Sequence, residues 1–387
     1  MKMSELTCTA GYLSLNHYGE TLCGDRVKMI RSGSGDVTAV LADGLGSGVK
    51  ANILSTLTSE IIADMLLHGI DLHAVTDAVS KTLPGQGTDA YSTFCTFTSK
   101  DGSAYISYYD SPRPLFFRNG KLFEPEYTAE EISGRTVFTA NTKLFSGDVF
   151  IMFSDGVENA GPGNSYNLDW KRSDIAEFMQ KFMPLGLSEK TLCSMLTDKT
   201  MKLYEDCPAD DATVCAVCVK PSVTVNMLIG PPADPSDAEA VMEKFFSRPG
   251  MHVICGGTTS QLAAAYLKTD AVTDTTVKDP DIPPAAVMKG ADLVTEGLIT
   301  LARTLEYAES YVSDNSLFRE WEYKKDAASR LSRLLFETAS DVYIFAGNAV
   351  NRDVAGSAVD HTVKMKIIRD LVKALGQMGK NVGIEYQ

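Results

Sequence analysis

The chain has 387 residues, enough for two or three domains at about 150 residues each. It is 44% apolar and 22% charged, an ordinary globular composition. Its net charge of −14 argues against a nucleic-acid partner, because non-specific affinity for phosphates rests on Lys and Arg.

No apolar stretch approaches the ~20 residues of a membrane helix, and residues 1–20 lack the continuous apolar run of a secretory signal. No membrane partner is expected, and reduced thiols make a cytoplasmic location the expectation. The eight cysteines are scattered. Cys215 and Cys218 have C-x-x-C spacing, but they lie on a strand-like run. Residues three apart on a strand face opposite ways, so buried structural thiols are expected rather than a zinc site.

In chain order, "TCTAGYLSLN", "RVKMIRS" and "VTAVLAD" predict strands. Residues 47–68 and 71–83 have apolar residues at helical spacing, broken at Gly69. "AYSTFCTFTSKDGSAYISYYDS" predicts a hairpin turning at Lys-Asp-Gly, and "RPLFFRNGKLF" another at Asn119-Gly120. "SGDVFIMFSDGVENA" predicts a strand ending in Asp-Gly. Helices near 173–184 and 188–205 and the strand "DDATVCAVCVK" complete residues 1–220. Hairpins with segregated helices predict an α+β fold of packed antiparallel sheets flanked by helices.

A boundary is expected near "VKPSVTVN". Beyond it, over 221–387, short apolar runs alternate with helical segments at 236–247, 260–267, 298–312, 326–338 and 362–378. Ser236 and Glu239 read as a capping box for the first. The alternation predicts an α/β domain with a mostly parallel sheet.

Five aspartates adjoin apolar runs: Asp25, Asp43, Asp155, Asp210 and Asp211. Each alone is a common turn residue. If hairpins bring the strand ends together, the carboxylates meet at one rim. Like charges at close range cannot all stay ionised without compensation. Oxygen-only ligands select hard divalent cations such as Mg²⁺ or Mn²⁺. The run "DGLGSG" at 43–48 is neither a P-loop nor a dinucleotide fingerprint, since Asp43 would repel a phosphate. Its glycines allow close backbone approach, which makes the Gly44 carbonyl a further candidate ligand.

With "CGD" at 23–25, "LADGLGSGVKAN" at 41–52, "SGDVFIMFSDGVENA" at 146–160 and "DDATV" at 210–214, residues ~5 to ~219 resemble the metal-dependent serine/threonine protein phosphatases of the PPM class, in the branch of stage II sporulation protein E. The resemblance implies a sandwich of two antiparallel sheets with helices outside and two Mn²⁺ or Mg²⁺ ions between the sheet edges. By match, Asp25, Asp43, Asp155 and Asp210 take the catalytic metal-ligand positions together with Gly44, and Asp211 stays an alternative to its neighbour. The helices at 47–68 and 71–83 match a switch that positions a metal-binding aspartate. "YYDSPRPLFF" departs from the branch's usual turn and bears on the substrate rim near Arg113. His17 and His73 are candidate general acids by position only, and Arg26 is a candidate phosphate contact.

Residues 221–387 carry no resemblance. In open α/β sheets ligands bind beyond the carboxyl ends of the strands. "GGTTS", covering Gly256, Gly257, Thr258, Thr259 and Ser260, offers N–H groups and hydroxyls for an anion. Glu296, Asn348 and Asn351 are further polar candidates. The expected function is hydrolysis of a phosphoserine/phosphothreonine protein by a metal-activated water, regulated by the C-terminal domain through a small anionic ligand. A catalytically weak phosphatase-fold scaffold is the alternative. The sequence leaves a homodimer open.

Overall fold

Residues 6–32, 35–82, 92–161, 170–277, 279–313, 315–349 and 357–387 are described by the structure, a computed structural model. The chain divides into two units, Met1–Pro221 and Ser222–Gln387.

The N-terminal unit begins with strands β1 (Leu6–Leu15), β2 (Asp25–Arg31) and β3 (Val37–Gly44), then helices α1 (Gly48–Leu67) and α2 (Leu72–Thr82). Strands β4 (Ser92–Lys100), β5 (Ser103–Tyr109), β6 (Leu115–Arg118), β7 (Lys121–Phe123), β8 (Thr128–Ile132), β9 (Arg135–Lys143) and β10 (Val149–Phe153) follow. Short helix α3 (Asp155–Glu158), α4 (Arg172–Gln180), α5 (Glu189–Leu203) and strand β11 (Ala212–Pro221) complete it.

The strands form two sheets, β1-β11-β10-β6-β7 and β2-β3-β4-β5-β9-β8, with antiparallel pairing. Phe150 and Met152 of β10 join Leu41, Phe97 and Val217 in the core between the sheets. Ile151 and Phe153, on the other face, pack with Ile175 and Met179 of α4 and Leu192 and Leu196 of α5. Burial on both faces explains why β10 reads as an unbroken apolar run. On the second sheet, Val40 and Phe94 pack outward against Leu54 and Ile62 of α1 and Val75 of α2. The result is the expected four-layer sandwich. Cys215 and Cys218 point into different cores, and none of the eight cysteines forms a disulfide.

The hairpin β8–β9 went unread in the sequence. β8 is an edge strand, largely exposed, and its Thr-Ala-Glu-Glu composition carries little strand signal. The signal that was present is the turn Ser133-Gly134, with φ of 52° and 75°, the left-handed pair a two-residue hairpin favours.

The C-terminal unit runs β12 (Thr224–Ile229), α6 (Ala238–Ser247), β13 (Met251–Cys255), α7 (Gly257–Leu267), β14 (Ala271–Thr273), β15 (Ala286–Met288), β16 (Ala291–Thr295) and α8 (Leu298–Val312). It ends with α9 (Phe318–Trp321), α10 (Ala327–Ser332), β17 (Asp341–Ala346), α11 (Ser357–Gln377) and β18 (Asn381–Tyr386). The sheet order is β14-β15-β16-β13-β12-β17-β18, parallel from β16 to β18. Only β14 and β15 pair antiparallel, at one edge. One face packs on α6 and α7 through Leu228, Ile254 and Phe245. The other packs on α8 to α11 through Met227, Val253, Trp321 and Leu371.

The capping box expected at Ser236 and Glu239 does not form. Both the main-chain N–H and the hydroxyl of Ser236 donate to Asp234 Oδ1, at 2.8 and 2.7 Å. Asp234 therefore caps a single 3₁₀ turn, and α6 starts after it at Ala238. Pro235 suits the first position of that turn because it has no N–H to satisfy.

Candidate metal centre

Strands β2 and β3 pair so that Asp25 stands directly opposite Asp43. Side chains of such partners share one face of the sheet. Asp155 opens α3 directly after β10, and Asp210 lies just before β11, the neighbour of β10. Two glycines permit the approach. A Cβ on Gly44 would stand 2.1 Å from the Ala51 carbonyl oxygen of α1, and one on Gly156 would stand 2.1 Å from the Asp211 carbonyl oxygen. The glycine of each Asp-Gly pair thus answers a packing demand rather than a turn.

The carboxylates sense one another. Burial first, then repulsion from Asp25, Asp155 and Asp210, pushes Asp43 up to about 9. Burial likewise pushes Asp25 up to about 7, against hydrogen bonds from Ser154 and Thr213, and Asp211 and Asp210 add repulsion. Asp210 is raised by burial and by Asp155. Asp25 is 4% exposed, and its Oδ1 is buried without a hydrogen-bond partner. Among the described residues no group of three or more His, Cys, Asp or Glu side chains is arranged to hold one metal ion.

Asp25 Oδ2 accepts from Ser154 Oγ at 2.7 Å, and Ser154 Oγ in turn accepts from Thr213 N at 2.8 Å. Sequence reasoning missed Ser154. Its position before Asp155 marks it as the N-cap of α3, yet its hydroxyl makes no cap and reaches across to Asp25 instead.

The two adjacent aspartates have different surroundings. Asp211 is buried, its Oδ1 accepts from His17 N at 2.9 Å, and its Oδ2 accepts from Gly24 N at 2.8 Å. It ties the turn between β1 and β2 to the start of β11. Asp210 is half-buried and, among the described residues, accepts only the N–H of Asp211, at 2.9 Å. His17 lies close enough to Asp210 to counter part of its shift. His73 instead pairs with Glu130 at 3.2 Å, and Arg113 with Glu124 at 2.7 Å. Arg26 is exposed. A cavity of about 650 Å³ lies between the α1–α2 junction and the sheet, lined by Leu72, Thr98, Tyr105 and Glu130 but by none of these aspartates.

In the C-terminal unit, Gly256 and Gly257 join β13 to α7, with Thr258 and Thr259 in its first turn. Ser260 Oγ donates to the Gly257 carbonyl at 2.7 Å, so that hydroxyl is turned into the helix. Glu296 Oε2 accepts from Ile299 N at 3.1 Å. Asn348 donates its main-chain N–H to the Gln387 carbonyl at 2.9 Å. Asn351 lies outside the described residues.

Residues 33–220 match the family model described as Stage II sporulation protein E. The match covers most of the N-terminal unit; residues 222–387 lie outside it. Stage II sporulation protein E of Bacillus subtilis (strain 168) is 26% identical over 208 residues, 51% of this chain. The chain spans 24% of that relative's length. Among solved structures, the PP2C phosphatase domain with a fragment of the regulatory domain of that Bacillus subtilis protein is 20% identical, covering 56% of this chain and 65% of that one, with a TM-score of 0.48. The S. agalactiae serine/threonine phosphatase is 15% identical, covering 55% of this chain and 100% of that one, with a TM-score of 0.39. Among the described residues no helix is long and apolar enough to cross a membrane.

Proposed function

We propose that the N-terminal unit is a metal-dependent phosphoserine/phosphothreonine protein phosphatase, with Asp25, Asp43, Asp155, Asp210 and the Gly44 carbonyl as ligands of two Mn²⁺ or Mg²⁺ ions. The mutual repulsion that links Asp43 to Asp25, Asp155 and Asp210, together with the partnerless buried Oδ1 of Asp25, carries this reading. Such a set of oxygen donors fits hard divalent cations, whose charge relieves the mutual repulsion. When bound, the ions supply Lewis-acid polarisation of a phosphoryl oxygen and a water of lowered pKa. Ser154 holds Asp25 in place, and Asp211 holds the loop that presents it. The family match to residues 33–220 supports the phosphoprotein substrate.

Hydrolysis of a generic aryl phosphate is expected only with added Mn²⁺ or Mg²⁺ and is expected to vanish with chelator. Activity that persists in chelator would overturn the mechanism. Ser154→Ala is expected to raise the half-saturating metal concentration by about tenfold or more, as removal of a residue that orients a ligand does. Metal titration of activity checks this, with Ser154→Thr restoring the wild-type value.

The division into residues 1–220 and 221–387 is part of the proposal, as are a cytoplasmic location and regulation by the C-terminal unit. In that unit Gly256, Gly257, Thr258 and Thr259 are proposed to take a small anion on the first turn of α7. Residues 1–221 expressed alone are expected to fold, since they carry their own sheets and cores. A cooperative thermal transition in that fragment is the check. A fragment that stays unfolded would rule out an independent domain.

A further inference from the structure

The strand order of the C-terminal unit makes β12 and β17 neighbours, and the helices that follow them pack on opposite faces. Open α/β sheets place their ligand crevice at such a point. Here it is filled by the chain. A Cβ on Gly347 would stand 2.1 Å from the Pro231 carbonyl oxygen and 2.4 Å from that of Gly230. Ala349 N donates to Pro231 O at 3.3 Å, and Lys364 Nζ donates to Gly347 O at 2.7 Å.

The next pair of strands, β13 and β16, also sends its helices to opposite faces, α7 to one and α8 to the other. Two helix N-termini therefore lie side by side. Gly256 and Gly297 meet there, with a Cβ on Gly297 only 3.5 Å from the Gly256 Cα. The two ends are not equivalent. The end of α8 is covered by the chain's own carboxylate, Glu296, on the Ile299 N–H. The end of α7 has no side-chain cap, and the N–H groups of Gly257, Thr258 and Thr259 find no acceptor among the described residues. The mouth is open: a Cβ on Gly257 would meet nothing within 4 Å.

Thr259 supplies the second observation. It is 1% exposed and its Oγ1 has no partner. That oxygen stands 3.1 Å from where a Cβ on Gly256 would lie, so it is aimed at the mouth of α7. A buried hydroxyl without a partner costs about 1–3 kcal/mol unless something fills the gap. Three N–H groups at a helix N-terminus with a hydroxyl beside them suit a phosphate. No Lys or Arg lies in the first turn of α7, so a second anchor is needed for selective binding. Glu296 follows Thr295, whose carbonyl accepts from Gly256 N at 3.0 Å, and so stands next to the site. Its carboxylate would repel a second anionic group and accept from hydroxyls.

We propose that this cleft binds the phosphate monoester of a polyhydroxy compound, with the phosphate on the first turn of α7 and hydroxyls donated to Glu296. The assignment rests on the anion site proposed above and adds the identity of the ligand's second half. The test is calorimetric titration of the full chain, in chelator so that the acidic rim of the N-terminal unit holds no metal. The probes are ribose 5-phosphate, inorganic phosphate and pyrophosphate. Ribose 5-phosphate is expected to bind about tenfold tighter than phosphate, and pyrophosphate no tighter than phosphate. Thr259→Val is expected to weaken both ribose 5-phosphate and phosphate about tenfold, with Thr259→Ser restoring them. Glu296→Gln is expected to remove the advantage of ribose 5-phosphate while leaving phosphate binding in place. If ribose 5-phosphate binds no tighter than phosphate, the polyhydroxy assignment falls and the anion site stands. If neither binds at millimolar concentration to folded protein, both fall. Unchanged binding in Thr259→Val would place the site elsewhere. Should that variant fail to fold, the Glu296→Gln comparison decides.

Discussion

Asp43→Asn is expected to lower metal-dependent hydrolysis at least ~100-fold, which is about 2.7 kcal/mol of barrier. Asp43 faces Asp25 across the β2–β3 ladder, so it cannot be replaced by a neutral side chain without losing charge at the centre of the cluster. Asp155→Asn and Asp210→Asn are expected to behave alike. Asp211→Asn should differ, because both its carboxylate oxygens already accept main-chain N–H groups. An amide in its place keeps one acceptor and turns a donor toward the other N–H, so its loss appears first as a lower melting temperature. Steady-state rates at saturating Mn²⁺, paired with thermal melts, separate the two patterns. Full activity in Asp43→Asn would remove that residue from the ligand set.

The same substitution is expected to stabilise the metal-free protein. Asp25 and Asp43 are carboxyls raised by burial and by repulsion from neighbouring carboxylates, to about 7 and about 9. The folded state therefore holds more protons than the unfolded chain between the ordinary carboxylate range and those values. The stability they contribute is fully present at low pH and is lost as the pH rises through about 7 and about 9. In chelator at pH 8, Asp43→Asn should melt above the wild type. The gap should shrink toward pH 4. Saturating metal should reverse the order, because metal that binds only the folded state at 100 times its Kd adds about 2.7 kcal/mol. A wild type more stable than the variant in chelator at every pH would show that the carboxylates do not strain the fold.

Much of this architecture is legible in the residues. The continuous burial of β10 and the Lys-Asp-Gly and Asn-Gly turns announce their elements, because local chemistry and tertiary demand agree there. Edge strands β8 and β14 are not legible, since an exposed edge imposes no apolar alternation. At the candidate centre the aspartates are visible as residues beside strand ends, but their partners are not. Ser154 looks like an ordinary N-cap, and only the adjacency of β10, β11 and the β1–β2 turn reveals its role. Asp210 and Asp211 are indistinguishable in sequence; the main-chain donors that occupy Asp211 come from residues nearly two hundred positions away.

The pairing of Asp25 with Asp43 also bears on how the chain opens. Once the pH has risen through about 7 and about 9 both carboxyls are ionised in the metal-free protein, and like charges directly opposite weaken a rung of a ladder. At the far end of this hairpin, beyond Arg31 and Val37, Ser32 N donates to Asp36 O at 2.9 Å. The rung of Asp25 and Asp43 is held from outside the hairpin, since Gly24 N donates to Asp211 Oδ2 and Ser154 Oγ to Asp25 Oδ2. Without a cation, rising pH should weaken the rung against those ties. Under the proposed assignment an ion would bind at this same rung, and would act as the pin that closes the hairpin.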